Sequence, residues 1–200
     1  KRFSVRHSRL FNRLRLFAHK VAVGRLADFK DAVGGGVAGL SAAWQLAKFG
    51  HLVTIFDDAA QIGGKLAQVI PHSRISPELI KSEVNRVEKL GVTFKSNCKV
   101  DFEMFKAICE EFDAVLVATG GNKARYFNWE GAELLTHGIE FLKAINRGEK
   151  PNVGKKVVVI GGGNSGMDVA TSAYEQGAEK VTVVDVVKPA AFEKEIKRLE

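Results

Sequence analysis

The chain contains little cysteine, little proline and no long apolar run. Of its 200 residues, two are cysteine and four are proline. Cys98 and Cys109 lie apart from any CxxC pair or His/Cys cluster, which excludes a disulfide scaffold, a zinc finger and a self-contained iron–sulfur site. Because no run of about 18 apolar residues occurs, we expect no transmembrane segment. No catalytic triad, catalytic dyad or metal-ligand cluster is present, so we predict neither a catalytic side chain nor a metal ligand.

The excess positive charge is confined to the first 20 residues. This stretch contains no acid, and its charge equals the net charge of the whole chain, +7. Since the rest of the chain is neutral overall, we expect no nucleic-acid partner. We assign 1–30 to a basic N-terminal segment: a transit peptide, an interfacial or partner-docking helix, or a solvated stretch. A cytoplasmic location is expected, with organellar targeting by this segment as the alternative.

A unit of strand, glycine-rich turn, helix, strand and acid occurs twice along the chain. In the first copy, the turn at 34–39 is followed by a helix, a strand at 52–56 and Asp57. In the second, an apolar strand at 157–160, which we expect to be buried on both faces, precedes the turn at 161–166. A helix, a strand at 181–184 and Asp185 then follow. The duplication predicts an α/β fold of two Rossmann-type dinucleotide-binding units with parallel sheets, both incomplete.

Each copy has the glycine spacing of a dinucleotide-binding turn. The first glycine allows the tight turn, the second lets the backbone approach the pyrophosphate, and the third lets the helix pack against the strand. Asp57 and Asp185 follow at the distance expected of an acid that accepts from ribose hydroxyls. The cofactor ligands predicted from this spacing are Gly34, Gly36, Gly39 and Asp57 in the first copy, and Gly161, Gly163, Gly166 and Asp185 in the second.

The first copy departs from the pattern in its opening strand. The residues before Val33 are charged, and an apolar strand start, Lys20 to Val23, lies ten residues earlier. Gly24 to Ala32 therefore reads as an insertion within the first strand, and we expect it to weaken binding at this turn. A turn that binds no nucleotide is the alternative for this copy.

Four further segments resemble those of the glutamate synthase small-subunit-like flavoproteins, which bind FAD and NAD(P)H in two nested Rossmann domains. They are Gly-Gly-Lys-Leu at 63–66, Ile-Pro-His-Ser-Arg-Ile-Ser at 70–76, Ala-Thr-Gly at 118–120, and GGGNSGMDVA at 161–170. Within that family, the stretches at 57–66 and 188–192 are most similar to the flavoprotein that accompanies dissimilatory sulfite reductase. The resemblance predicts eight more cofactor ligands, which are Gly64, Lys65, Leu66, Arg74, Thr119, Gly120, Asn164 and Ser165.

The resemblance implies hydride transfer from a nicotinamide to flavin, with electrons passed on to an iron–sulfur subunit or domain. It implies FAD binding at 31–150 and NAD(P) binding at 151–200. Where many relatives carry Arg-Arg to hold the 2′-phosphate of NADP, this chain has Asp185, Val186 and Val187, which favours NAD. The family's cysteine-rich segments and closing flavin segment are missing, which predicts a fragment of a longer protein.

Two alternatives to this function stay open at the level of sequence. The first is a non-catalytic fragment that binds only a nucleotide or a partner protein. The second is a disulfide reductase of the thioredoxin-reductase type, which the absence of a CxxC pair disfavours.

Overall fold

The computed structural model describes residues 20–24, 34–121 and 129–186, the first of these ranges by its backbone. Most of the predicted basic N-terminal segment and most of the predicted insertion lie outside these ranges. Contacts divide the described residues into two units, one formed by 20–24, 34–64 and 78–121 and the other by 65–77 and 129–186.

The described residues form six strands and six α-helices. In chain order these are β1 (Lys20–Gly24), α1 (Val37–Lys48), β2 (Leu52–Phe56), α2 (Lys65–Gln68), α3 (Pro77–Glu88), β3 (Thr93–Lys95), α4 (Phe102–Glu111), β4 (Ala114–Val117), α5 (Gly138–Asn146), β5 (Lys156–Ile160), α6 (Asn164–Glu175) and β6 (Lys180–Val184). A short 3-10 helix, Ala132–Leu134, precedes α5. None of the helices within the described ranges is long and apolar enough to cross a membrane.

The first unit is a parallel sheet with the strand order β3-β2-β1-β4. The strand start predicted at Lys20 to Val23 is confirmed as β1, which pairs with β2 on one side and β4 on the other. Val53 and Ile55 of β2 pack with Ala43 of α1 and Val87 of α3 in one buried cluster. Phe56 packs in a second cluster that contains Ile108 of α4. The parallel sheet confirms the predicted α/β fold.

The second unit is built on the parallel pair β5–β6. Phe141 and Leu142 of α5 and Ala173 of α6 form its buried cluster together with Val69 and Ala178. The prediction that β5 is buried on both faces is wrong for the described residues, because Val158 is 64% exposed and Ile160 is 44% exposed. Within these residues β5 pairs only with β6, and the side chains of the cluster cover one face of the pair.

Residues 65–77 group by contacts with the second unit, although we predicted them as part of the range 31–150. Val69 lies in the second unit's buried cluster. The amide of Asn146 donates to the carbonyl oxygen of Ile70 at 2.9 Å. The contacts also place 129–150 in the second unit. This division concerns packing, and the assignment of each range to a cofactor stays a prediction.

Candidate functional site

The first glycine-rich turn leads into α1. Gly34 and Gly35 are buried, Gly36 is the N-cap of α1 in an extended conformation, and Gly39 is buried in the first turns of the helix. Because the N-cap is a glycine, it has no side chain to cap this helix start, and the first turn contains no acid. The first backbone N–H groups of a helix have no partner within the helix, so this end can accept an anion.

Asp57 follows β2 and contacts the first turn directly. Asp57 is 1% exposed, and its carboxylate accepts from the backbone N–H of Gly35 at 3.0 Å and of Ala59 at 2.8 Å. Burial raises the pKa of Asp57 to about 6, and the nearby Asp58 carboxylate also acts to raise it. The two backbone N–H donors act to lower the pKa. Asp57, which we predicted as a ribose ligand, therefore lies at the turn and is hydrogen-bonded to the turn's backbone.

The two glycines of the Gly-Gly-Lys-Leu segment at 63–66 pack against the same turn. The N–H of Gly63 donates to the carbonyl oxygen of Gly35 at 2.9 Å. Gly64 has φ of +55°, and a Cβ atom there would lie 2.8 Å from the Cα of Gly36. The two glycines thus approach closely, and a side chain on Gly64 would push the loop away from the turn.

The second glycine-rich turn joins β5 to α6. Gly161 has φ of +113°, Gly163 is the N-cap of α6, and Asn164 and Ser165 are the first residues of the helix. A Cβ atom on Gly166 would overlap the carbonyl oxygen of Gly161. Among the described residues, and apart from its chain neighbours and its own helix, nothing lies within 4 Å of the position of a Cβ atom on Gly163, so a ligand has room to approach the backbone there.

Asp185 has the same relation to the second turn as Asp57 has to the first. Its carboxylate accepts from the N–H of Gly162 at 2.5 Å and from that of Val186 at 2.7 Å. Gly162 occupies the second position of its turn, as Gly35 does in the first. In each unit, the acid after the second strand is hydrogen-bonded to the backbone of the glycine-rich turn.

The other predicted ligands divide between the two units. Thr119 and Gly120 follow β4 in the first unit, and Gly120 has φ of +67°. Lys65 and Leu66 begin α2 and group with the second unit. Arg74 also belongs to the second unit and pairs with Asp168 of α6, with its Nη1 at 2.7 Å and 2.8 Å from the two carboxylate oxygens. The sequence did not predict this ion pair.

Both units thus present an uncapped helix start beside a carboxylate, an arrangement suited to a pyrophosphate and a ribose. The described residues contain no group of three or more His, Cys, Asp and Glu side chains that could hold a metal ion. Cys98 and Cys109 are both free thiols.

The profile of one protein family, described as pyridine nucleotide-disulphide oxidoreductase, matches residues 32–199. The chain belongs to this family. It is therefore a member of an oxidoreductase family, as the resemblance to the glutamate synthase small-subunit-like flavoproteins implied.

Two curated relatives show where within this group the similarity lies. Over 158 residues the chain is 37% identical to the "NADP(+)-dependent formate dehydrogenase subunit beta" of Moorella thermoacetica, which covers 76% of this chain and 22% of that protein. Over 161 residues it is 36% identical to the "Putative glutamate synthase (NADPH) small chain" of Cereibacter sphaeroides, which covers 74% and 39% respectively. The chain spans well under half of either relative. The resemblance to glutamate synthase small-subunit-like proteins is confirmed, whereas the narrower resemblance to the sulfite-reductase-associated flavoprotein stays a prediction.

A solved structure shows the same fold. The FprA protein of Mycobacterium tuberculosis, solved in complex with NADPH, matches with a TM-score of 0.70 and 20% sequence identity, covering 92% of this chain and 47% of that one. The similarity confirms the Rossmann-type fold class.

Proposed function

We propose that this chain is the cofactor-binding part of a flavoprotein oxidoreductase. FAD binds at the first glycine-rich turn and a nicotinamide nucleotide binds at the second. The observation that carries the proposal is the repeated construction in which an uncapped helix start lies beside a buried or hydrogen-bonded acid. Membership of the pyridine nucleotide-disulphide oxidoreductase family supports it.

The residues of both turns fit dinucleotides. The starts of α1 and α6 present backbone N–H groups to a pyrophosphate, and the open space at Gly163 admits it close to the backbone. An ionised carboxylate can accept about four hydrogen bonds, and Asp57 accepts two from backbone N–H groups, which leaves acceptor capacity for a ribose hydroxyl. When bound, the cofactors supply the hydride and electron chemistry, while the protein binds them, orients them and excludes water.

We do not extend the proposal to the predicted preference for NAD. The names of both relatives specify NADP or NADPH, which gives that preference no support. In addition, the Asp185 carboxylate is engaged by Gly162 and Val186, so its presence has a structural reason that is independent of a 2′-hydroxyl. The nucleotide proposed for the second turn is therefore NAD(P)H.

The proposed electron acceptor is an iron–sulfur subunit or domain. The chain has two cysteines and no CxxC pair, so it holds no cysteine-ligated cluster of its own. The names of the two relatives describe a subunit and a small chain, which supports the existence of a partner subunit. A cytoplasmic location stays a prediction.

Anaerobic titration tests the proposed function. The chain is incubated with excess FAD, freed of unbound flavin, and mixed with NADH or NADPH while the visible absorbance of oxidised flavin is followed. Loss of that absorbance supports hydride transfer. A chain whose flavin absorbance is not lost, or that retains no flavin, would instead be the non-catalytic alternative, whether or not it binds a nucleotide.

A matched pair of variants assigns the two turns in this assay. Gly163→Val fills the open space at the second turn, so we expect retained flavin and lost reduction by the nucleotide. Gly154→Val places the same side chain in the loop before β5, where the nearest atom to a Cβ is at an ordinary 3.7 Å, and should behave as the parent chain.

A further inference from the structure

The ion pair between Arg74 and Asp168 has no role in the function proposed so far. Asp168 is buried, with 10% of its side chain exposed, and Arg74 is its partner from 94 residues away along the chain. Asp168 lies on α6, five residues after the N-cap Gly163. The helix that starts at the proposed nicotinamide nucleotide site therefore carries a buried carboxylate near that start.

An unpaired Asp168 would oppose an anion at the start of α6. With a rise of about 1.5 Å per residue, five residues place the two charges about 8 Å apart along the helix. At that separation the repulsion between two unit negative charges weakens binding about thirtyfold at an effective dielectric constant of 20, and about twofold in bulk water. Asp168 also lies beyond the first turn of α6, and only within that turn would the helix dipole favour an acid.

The segment that carries Arg74 is fixed to the second unit at two other points. Val69 packs in the buried cluster with Phe141 and Leu142 of α5. The carbonyl oxygen of Ile70 accepts from the side chain of Asn146. These contacts hold the segment against the unit that contains α6. Packing as well as charge therefore places the Arg74 guanidinium next to Asp168.

We propose that Arg74 is a positioning residue of the nicotinamide nucleotide site, and that its guanidinium neutralises Asp168 so that the start of α6 can accept a pyrophosphate. The proposal rests on the function proposed above, because it needs a nucleotide at the second turn. It replaces the predicted role of Arg74 as a direct cofactor ligand.

Charge-removing variants of the 200-residue chain test this proposal. Arg74→Gln leaves Asp168 charged and unpaired, Asp168→Asn removes the carboxylate, and the double variant removes both charges. Arg147→Gln is the matched control, because it removes one positive charge from the second unit at an exposed pair with Glu149. For each variant, calorimetry gives the dissociation constants of NADH and NADPH, and urea unfolding gives the stability.

We expect Arg74→Gln to weaken binding of both nucleotides about tenfold, which lies between the two Coulomb limits. The double variant should bind within about twofold of the parent chain, as should Asp168→Asn and Arg147→Gln. Rescue by the second substitution separates charge neutralisation from a merely structural role, since a structural role predicts that the double variant stays impaired. Arg74→Gln should also be less stable than Asp168→Asn, because Arg74 is 29% exposed and reaches water more readily than Asp168.

Three results would overturn the proposal. Unchanged affinity in Arg74→Gln would show that Asp168 does not act on the nucleotide. A double variant that binds tenfold more weakly than Asp168→Asn would show that Arg74 contacts the ligand itself, and this comparison holds even if Arg74→Gln fails to fold. A parent chain that binds neither nucleotide would reject the proposed function as well, which distinguishes that failure from the other two.

Discussion

Replacing Gly166 with alanine should destabilise the second unit without changing its surface. Gly166 lies in the first turn of α6 and faces the turn from which the helix emerges. A Cβ atom there would overlap the carbonyl oxygen of Gly161, lie 3.0 Å from its carbonyl carbon and 3.8 Å from Cγ1 of Val159. The obstructing atoms are mainly backbone, so no side-chain rotation relieves the overlap.

The expected loss of unfolding free energy is about 2 kcal/mol. Overpacking by one methyl group costs about 1–3 kcal/mol, and the upper part of that range applies because the backbone itself must move. The higher helix propensity of alanine offsets up to about 1 kcal/mol of this cost. In a chain of this length, a loss of about 2 kcal/mol lowers the melting temperature by roughly 4–8 °C.

Urea unfolding followed by circular dichroism measures this difference. The matched control is Gly154→Ala, since an added Cβ there meets only the carbonyl oxygen of Lys156 at 3.7 Å. It should lie within about 0.5 kcal/mol of the parent chain. If Gly166→Ala is as stable as this control, then α6 can shift from the turn at no cost, and the third glycine is not required for packing.

Three further predictions concern the acids and the insertion. The pKa of Asp57 is raised from 3.8 to about 6, so the folded chain binds more protons than the unfolded chain between these two pH values. The free energy of unfolding therefore falls by at most about 3 kcal/mol as the pH rises from 3.8 through about 6. Urea unfolding at several pH values should show this slope, and Asp57→Asn should flatten it; an equal slope in the variant would refute the assignment. Replacing Asp185 with Ser and Val186 and Val187 with Arg should raise the affinity for NADPH relative to NADH in calorimetric titration, and an unchanged ratio would remove these positions from nucleotide selection. The insertion was predicted at 24–32, but Gly24 belongs to β1. Deleting 25–32 should raise the affinity for FAD measured by flavin fluorescence, whereas equal or weaker binding would show the insertion to be harmless.

Elements with a strong local signal were predicted from the sequence. The strands predicted at 52–56 and 157–160 became β2 and β5. Three helices, α2, α4 and α5, were not predicted. In α4, Asp101 caps the helix by accepting from the N–H of Met104 at 2.9 Å, a signal that was present in the sequence. In α5, the N-cap is His137, which makes no side-chain cap, so local chemistry marks its start weakly.

Features that depend on distant residues were not predicted. The pairing of Arg74 with Asp168 joins positions 94 apart, and no local spacing specifies it. The grouping of 65–77 with the second unit depends on Val69 entering a cluster with α5 and α6. Both follow from packing of the whole unit, which a motif of four or seven residues does not encode.

The two acids show how a correct spacing can indicate more than one role. Asp57 and Asp185 were predicted from their distance to the glycines, and each lies at its turn. Their first partners, however, are the backbone N–H groups of Gly35 and Gly162, at the same position of the two turns. A glycine-rich turn exposes backbone N–H groups, and a carboxylate at the end of the neighbouring strand satisfies one of them. Each acid therefore stabilises the backbone of its turn whichever nucleotide binds there, so its presence alone does not select between NADH and NADPH.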